Sequence, residues 1–126
     1  MKFIPVTNPD GTNGSPKLPP EIKNYLIDID GTICEDIPND EPERMPGASE
    51  LIGAKDKINS LYNSGHIITF FTSRLESHRT VTEKWLEDHG FKYHKIIMEK
   101  PRGGNYIWID DRDVEAIKFT GWDSIK

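Results

Sequence analysis

Asp28-Ile29-Asp30-Gly31-Thr32 sets two carboxylates two residues apart behind the apolar run Tyr25-Leu26-Ile27, and a second acidic pair, Asp110-Asp111, closes the run Tyr106-Ile107-Trp108-Ile109. Side chains two apart share one face if the strand runs on through both. Carboxylates gathered at one place repel each other and titrate upward unless a cation neutralises them. Oxygen donors with no His or Cys beside them suit a hard divalent ion, and Mg²⁺ is the usual one with phosphate substrates. Thr72-Ser73 closes a third apolar run, His66 to Phe71, and Lys100 follows a fourth, Lys95 to Met98. A hydroxyl and a backbone N–H at a strand end hold a phosphoryl oxygen, and an ammonium offsets charge on phosphate and nucleophile. A single Asp at a strand end is more often a solvated cap, and Lys100 before Pro101, taken alone, is an ordinary surface lysine. Two separate acidic pairs favour a site over that bland alternative.

Four apolar runs must position these groups, and helices separate them. Leu51, Ala54, Ile58 and Leu61 recur at helical spacing, with Gly65 as terminator, and a second helix is expected from about Ser77 to His89, with Val81, Trp85 and Leu86 on one side and Gly90 as its stop. Strands are expected at Tyr25–Asp30, His66–Thr72, Lys95–Met98 and Tyr106–Asp110, and a last helical turn or two at Val114–Phe119. Alternating strands and helices predict an α/β domain with a mainly parallel sheet and helices on both faces. Right-handed crossovers bring the strand C-termini to one edge, where ligands of open α/β sheets bind.

The chain of 126 residues fits one domain against a prior of about 150 per domain. Sixteen Lys and Arg against 21 Asp and Glu give a net charge of −5. No apolar run approaches the roughly 20 residues of a membrane span, and the first residues lack the apolar stretch of a secretory signal. Cys34 is the only cysteine, so no intrachain disulfide forms, which suits a reducing cytoplasm. Residues 1–22 form a Pro/Gly-rich arm, read as a surface tail or as a short edge strand at Phe3-Ile4-Pro5-Val6, and residues 23–126 form the domain.

The four motifs, in this order and each behind an apolar strand, resemble the haloacid dehalogenase-like (HAD) superfamily over residues 23 to 118 or so. Asp28-Ile29-Asp30-Gly31-Thr32 matches its first motif, Thr72 its second, Lys100-Pro101 its third and Asp110-Asp111 its fourth. The resemblance implies a three-layer Rossmann-like domain and a Mg²⁺-dependent phosphomonoester hydrolase. It makes Asp28 the nucleophile that becomes an aspartyl-phosphate and Asp30 the general acid, then base. It also implies that Asp28, the backbone carbonyl of Asp30 and Asp110 hold Mg²⁺, with Asp111 in support. Thr72 and the Ser73 N–H would bind phosphoryl oxygens, and Lys100 would steady both Asp28 and the phosphate. Arg74, directly after the second motif, is expected to grip the substrate beyond its phosphate, since Arg engages oxyanions bidentately. His78 and Arg79 lie close to the same edge, with a solvated first helical turn as the plain alternative. Trp85 and Trp108 are expected in the core, and no catalytic role is expected for Cys34.

HAD phosphatases usually owe selectivity to inserted caps, and neither Gly31–Ile67 nor Arg74–Lys95 has room for one, since domains begin at about 50 residues. The chain resembles the compact capless members, associated with sugar-phosphate and surface-polysaccharide metabolism, whose open site takes large substrates or is closed by a second copy. A small phosphate ester such as a sugar phosphate is the expected substrate. A polynucleotide 3′-phosphatase is the alternative, disfavoured by the acidic loop of Glu35, Asp36, Asp40, Glu41 and Glu43, although Lys92, Lys95, Lys100 and Arg102 offer a local basic strip. A non-catalytic HAD-like binding module ranks third, because such a module has no need of the intact motifs.

Overall fold

Short runs of Ile, Phe and Thr pair as strands because β-branched and aromatic side chains suit a pleated, buried surface. The computed structural model describes residues 3–125. The chain opens with a hairpin of β1 (Ile4–Thr7) and β2 (Asn13–Lys17), then lays down β3 (Asn24–Ile27), α1 (Ala54–Asn63), β4 (Ile67–Phe71), α2 (Arg79–Asp88) and β5 (Lys95–Ile97). Single 3₁₀ segments lie at Pro42–Gly47, Glu76–His78 and Trp122–Ser124. β3, β4 and β5 form a three-stranded parallel sheet with β4 central, and Ile27, Phe70 and Ile96 stand level across it. The protein is therefore a small α/β domain, and Asp28, Thr72 and the Met98–Lys100 stretch leave from one edge.

The two faces of the sheet differ. Ile27, Ile68, Phe70 and Ile96 point to one side and are buried in a core with Ala54, Ile58 and Leu61 of α1 and Trp85 and Leu86 of α2. Trp85 anchors α2, its indole N–H donating to the Ala48 carbonyl at 3.0 Å while its ring stacks with His89 and with Phe91. On the other side Leu26 is 43% exposed and Lys95 is exposed, while Thr69 between them on the central strand is buried. The strands also step in one direction, β3 to β4 to β5, and right-handed crossovers then put both connecting helices on the same face. Among the described residues no α-helix follows β5.

The edge strand read at Phe3–Val6 is present within a hairpin, and three expectations beyond β5 need correction. The N-terminal arm is an antiparallel hairpin, because Asp10 accepts the backbone and side-chain bonds of Thr12, and the Asn8 N–H donates to the Thr12 carbonyl at 2.8 Å, closing the turn. Residues Tyr106–Asp110 form no strand: Ile107 and Ile109 are exposed, and so is Trp108, which was expected in the core. Gly103, Gly104 and Asn105 all take positive φ after Pro101. That conformation turns the chain before it can run extended, and a strand without a partner leaves its N–H and C=O groups unpaired. Val114–Phe119 forms no helix either, since an isolated turn is unstable in water. The buried indole of this region is Trp122, whose N–H donates to the Thr32 carbonyl at 2.6 Å.

No helix among the described residues is long and apolar enough to cross a membrane. Phe70 is fully buried at the centre of the sheet and touches Phe91 and Tyr93 edge-on. Phe70→Ala is expected to cost about 3–5 kcal/mol of stability, read from the denaturant midpoint; a loss below about 1 kcal/mol contradicts this packing.

Candidate active site

β3 ends at Ile27, so Asp28 is the first residue beyond the sheet rather than a strand residue. Its Oδ1 accepts from Lys100 Nζ at 3.1 Å and its Oδ2 from the Thr32 hydroxyl at 3.3 Å. Lys100 reaches it from 72 residues away, with its ammonium 5.7 Å from the ring centres of both Phe71 and Tyr106. These rings favour a cation and shield it from water. The backbone of Lys100 is pinned too, its N–H donating to the Thr72 carbonyl at 2.9 Å while the Thr72 N–H donates to Ile97. Glu99 bends into the left-handed region at φ 61 so that its N–H meets the Arg74 carbonyl at 2.8 Å and its carboxylate accepts the Glu76 N–H at 2.9 Å.

Thr72 is fully buried, and its Oγ1 accepts the Arg74 N–H at 3.1 Å. The Ser73 carbonyl accepts from Asn39 Nδ2 at 3.0 Å, which brings the loop after β3 against the end of β4. Asp30 faces Arg74. The guanidinium donates Nε to Oδ2 at 2.9 Å and Nη2 to Oδ1 at 2.8 Å, and its Nη1 donates to the Thr82 hydroxyl at 3.0 Å. Thr82 in turn donates to the His78 carbonyl at 2.8 Å. Arg74 is only 2% exposed, and among the described residues the carboxylate it meets is Asp30.

Of the residues expected at the site, Asp28, Asp30, Thr72, Ser73, Arg74 and Lys100 gather at the C-terminal edge of the sheet, and Asp110 and Asp111 do not join them. Asp110 lies on the exposed segment, accepting from the Trp108 indole N–H and the Arg112 backbone N–H, which hold its carboxyl below the usual carboxylate range. Asp111 is exposed beside Arg112. Among the described residues no group of three or more acids or imidazoles is placed to hold a metal ion. With Asp28 paired to Lys100 and Asp30 to Arg74, the donor set as it stands does not fit Mg²⁺.

Thr32, Asn39 and Thr82 were not singled out from sequence. Thr32 stood inside the first motif and carried its own signal. Asn39 sits in an acidic, Pro-rich loop and Thr82 on a helix face, and neither position bears a mark of its partner.

The fold is similar to that of an MCSG target from Vibrio cholerae, known from its crystal structure, with a TM-score of 0.53 and 22% identity, covering 74% of this chain and 83% of that one. At that identity the likeness is one of fold. No family model and no curated protein matches the chain.

Cys34 lies under this site, fully buried, and burial first, then the Asp30 charge, pushes its thiol up to about 12. The fold favours the neutral thiol, so this contribution to stability is whole below about pH 9 and is lost as the pH rises towards about 12. Cys34 is expected to resist a thiol-alkylating reagent at pH 8 in the folded protein and to react fully once unfolded, as read by intact mass. Rapid labelling of the folded chain contradicts its burial.

Proposed function

We propose that the chain is a capless HAD-type phosphomonoester hydrolase that forms an aspartyl-phosphate on Asp28, acting on a small phosphorylated metabolite such as a sugar phosphate. The observation that carries this reading is the Asp28–Lys100 pair at 3.1 Å, set at the end of a parallel sheet with Thr72 and Asp30 alongside. Lys100 occupies Oδ1 and so orients the carboxylate, which leaves Oδ2, bonded among the described residues by the Thr32 hydroxyl, as the attacking atom. A carboxylate is a weak nucleophile, and an ammonium beside it offsets the repulsion between two anions as they approach. Thr72 and the Ser73 N–H hold the phosphoryl oxygens, and Asp30 supplies a proton to the leaving oxygen and later takes one from water.

The proposal includes the three-layer arrangement, of which the described residues form the sheet and two helices. It leaves selectivity to loops, to substrate bulk or to a second copy, because among the described residues no inserted domain covers the edge. Since the acids as placed do not fit Mg²⁺, no step above passes through a metal. Assays with Mg²⁺ and after chelation address that expectation directly: loss of turnover on chelation restores a metal to the site, and unchanged turnover means that Lys100 suffices.

Asp28→Asn is expected to abolish hydrolysis of p-nitrophenyl phosphate while leaving the circular dichroism spectrum unchanged; a folded, active variant removes Asp28 as nucleophile. In a substrate panel, sugar phosphates are expected to lead. A kcat/KM at least about tenfold higher for a 3′-phosphorylated oligonucleotide would replace the metabolite by a nucleic-acid end.

A further inference from the structure

Resting on the phosphatase reading, we infer that Arg74 is a positioning residue for the proton carried by Asp30, fixing which oxygen of that carboxyl bears it and where it points. A carboxyl that must serve as acid and then as base gains nothing from free rotation, since proton transfer demands hydrogen-bond geometry at the reacting atom. The two Asp30 oxygens are engaged unequally. Oδ1 accepts from Arg74 Nη2 at 2.8 Å and from the Ile37 N–H at 3.4 Å, with the Cys34 sulfur a further 3.9 Å neighbour, whereas Oδ2 accepts from Arg74 Nε alone. The second lone pair of Oδ2 is the place for the mobile proton. Arg74 holds this orientation because its own fork is immobile: it is buried, its Nη1 is tied to Thr82, and Thr82 is tied to the backbone of His78. A planar guanidinium with three engaged nitrogens sets a plane, and a lysine ammonium does not.

The proton then moves at one atom through both half-reactions. A lone pair of Asp28 Oδ2 forms a bond to phosphorus as the ester P–O bond breaks. The leaving oxygen keeps that electron pair, takes the proton from Asp30 Oδ2 and departs as the alcohol. Asp30, now a carboxylate, takes a proton from water at the same Oδ2 while the water oxygen bonds to phosphorus. The bond from phosphorus to Asp28 breaks, inorganic phosphate leaves, and both aspartates return to their starting states.

The test compares two esters by kcat/KM, which covers the steps through phosphoryl transfer to Asp28. The nitrophenolate of p-nitrophenyl phosphate leaves without a proton, whereas the alkoxide of glycerol phosphate needs one. Arg74→Lys is expected to lower kcat/KM for glycerol phosphate by at least about 30-fold and for p-nitrophenyl phosphate by no more than about threefold. Asp30→Asn should show the same selectivity. Thr82→Val, which unties one nitrogen and keeps the side-chain shape, is expected to lose about three- to tenfold on glycerol phosphate alone, and it carries the test if Arg74→Lys does not fold. Equal losses on both esters, or none on either, overturn the inference and leave Arg74 a purely structural residue. A wild-type chain inert to both esters overturns the phosphatase reading, and the inference falls with it.

Discussion

A guanidinium that is 2% exposed governs the chemistry-bearing end of this fold. A buried charge is tolerated only when paired and hydrogen-bonded, and Asp30 is the carboxylate that pairs with Arg74. The pair joins the loop after β3 to the end of β4, and Thr82 extends the link to α2. Once Asp30 is fixed, the turn that follows is fixed as well: the Ile33 N–H donates to the Ile29 carbonyl, the Ile37 N–H faces Asp30, and Ile33 and Ile37 drop into the core. Losing one partner of such a pair typically costs about 3–5 kcal/mol, because the other is left charged in an apolar surrounding. The same contact that a catalytic reading uses to aim a proton is thus also what holds three elements together.

The part of the site that was legible in the sequence is the part written at strand ends. Asp28, Thr72 and Lys100 each follow an apolar run, and parallel pairing of such runs brings their ends together whatever the loops do. Arg74 lies at that edge as its position after Thr72-Ser73 implies, but its bond to Asp30 is not legible, since nothing near position 74 announces a carboxylate 44 residues earlier. The helices Ala54–Asn63 and Arg79–Asp88 are readable from periodicity, with boundaries off by one to three residues.

Tyr106–Asp110 shows where apolar runs mislead. A run gives the composition of a strand without its partner, and three successive residues of positive φ at 103–105 decide its path first. Asp110 and Asp111, expected to complete an acidic cluster, follow that path out to the surface. In the arm, of a surface tail and a short edge strand, the strand is the one present. Proline and glycine at high density argued against regular structure, yet an Asp–Thr turn of local hydrogen bonds is sufficient to close a two-stranded hairpin.

Glu99, a non-glycine residue at φ 61, carries backbone strain that its two bonds to the Arg74–Glu76 stretch offset. Through it, the chain leading to Lys100 is fastened to the chain that carries Arg74. The neighbour of one aspartate cannot shift without dragging the neighbour of the other. The two carboxyls therefore answer to a single lever, and a change in the 74–76 stretch reaches nucleophile and proton donor together.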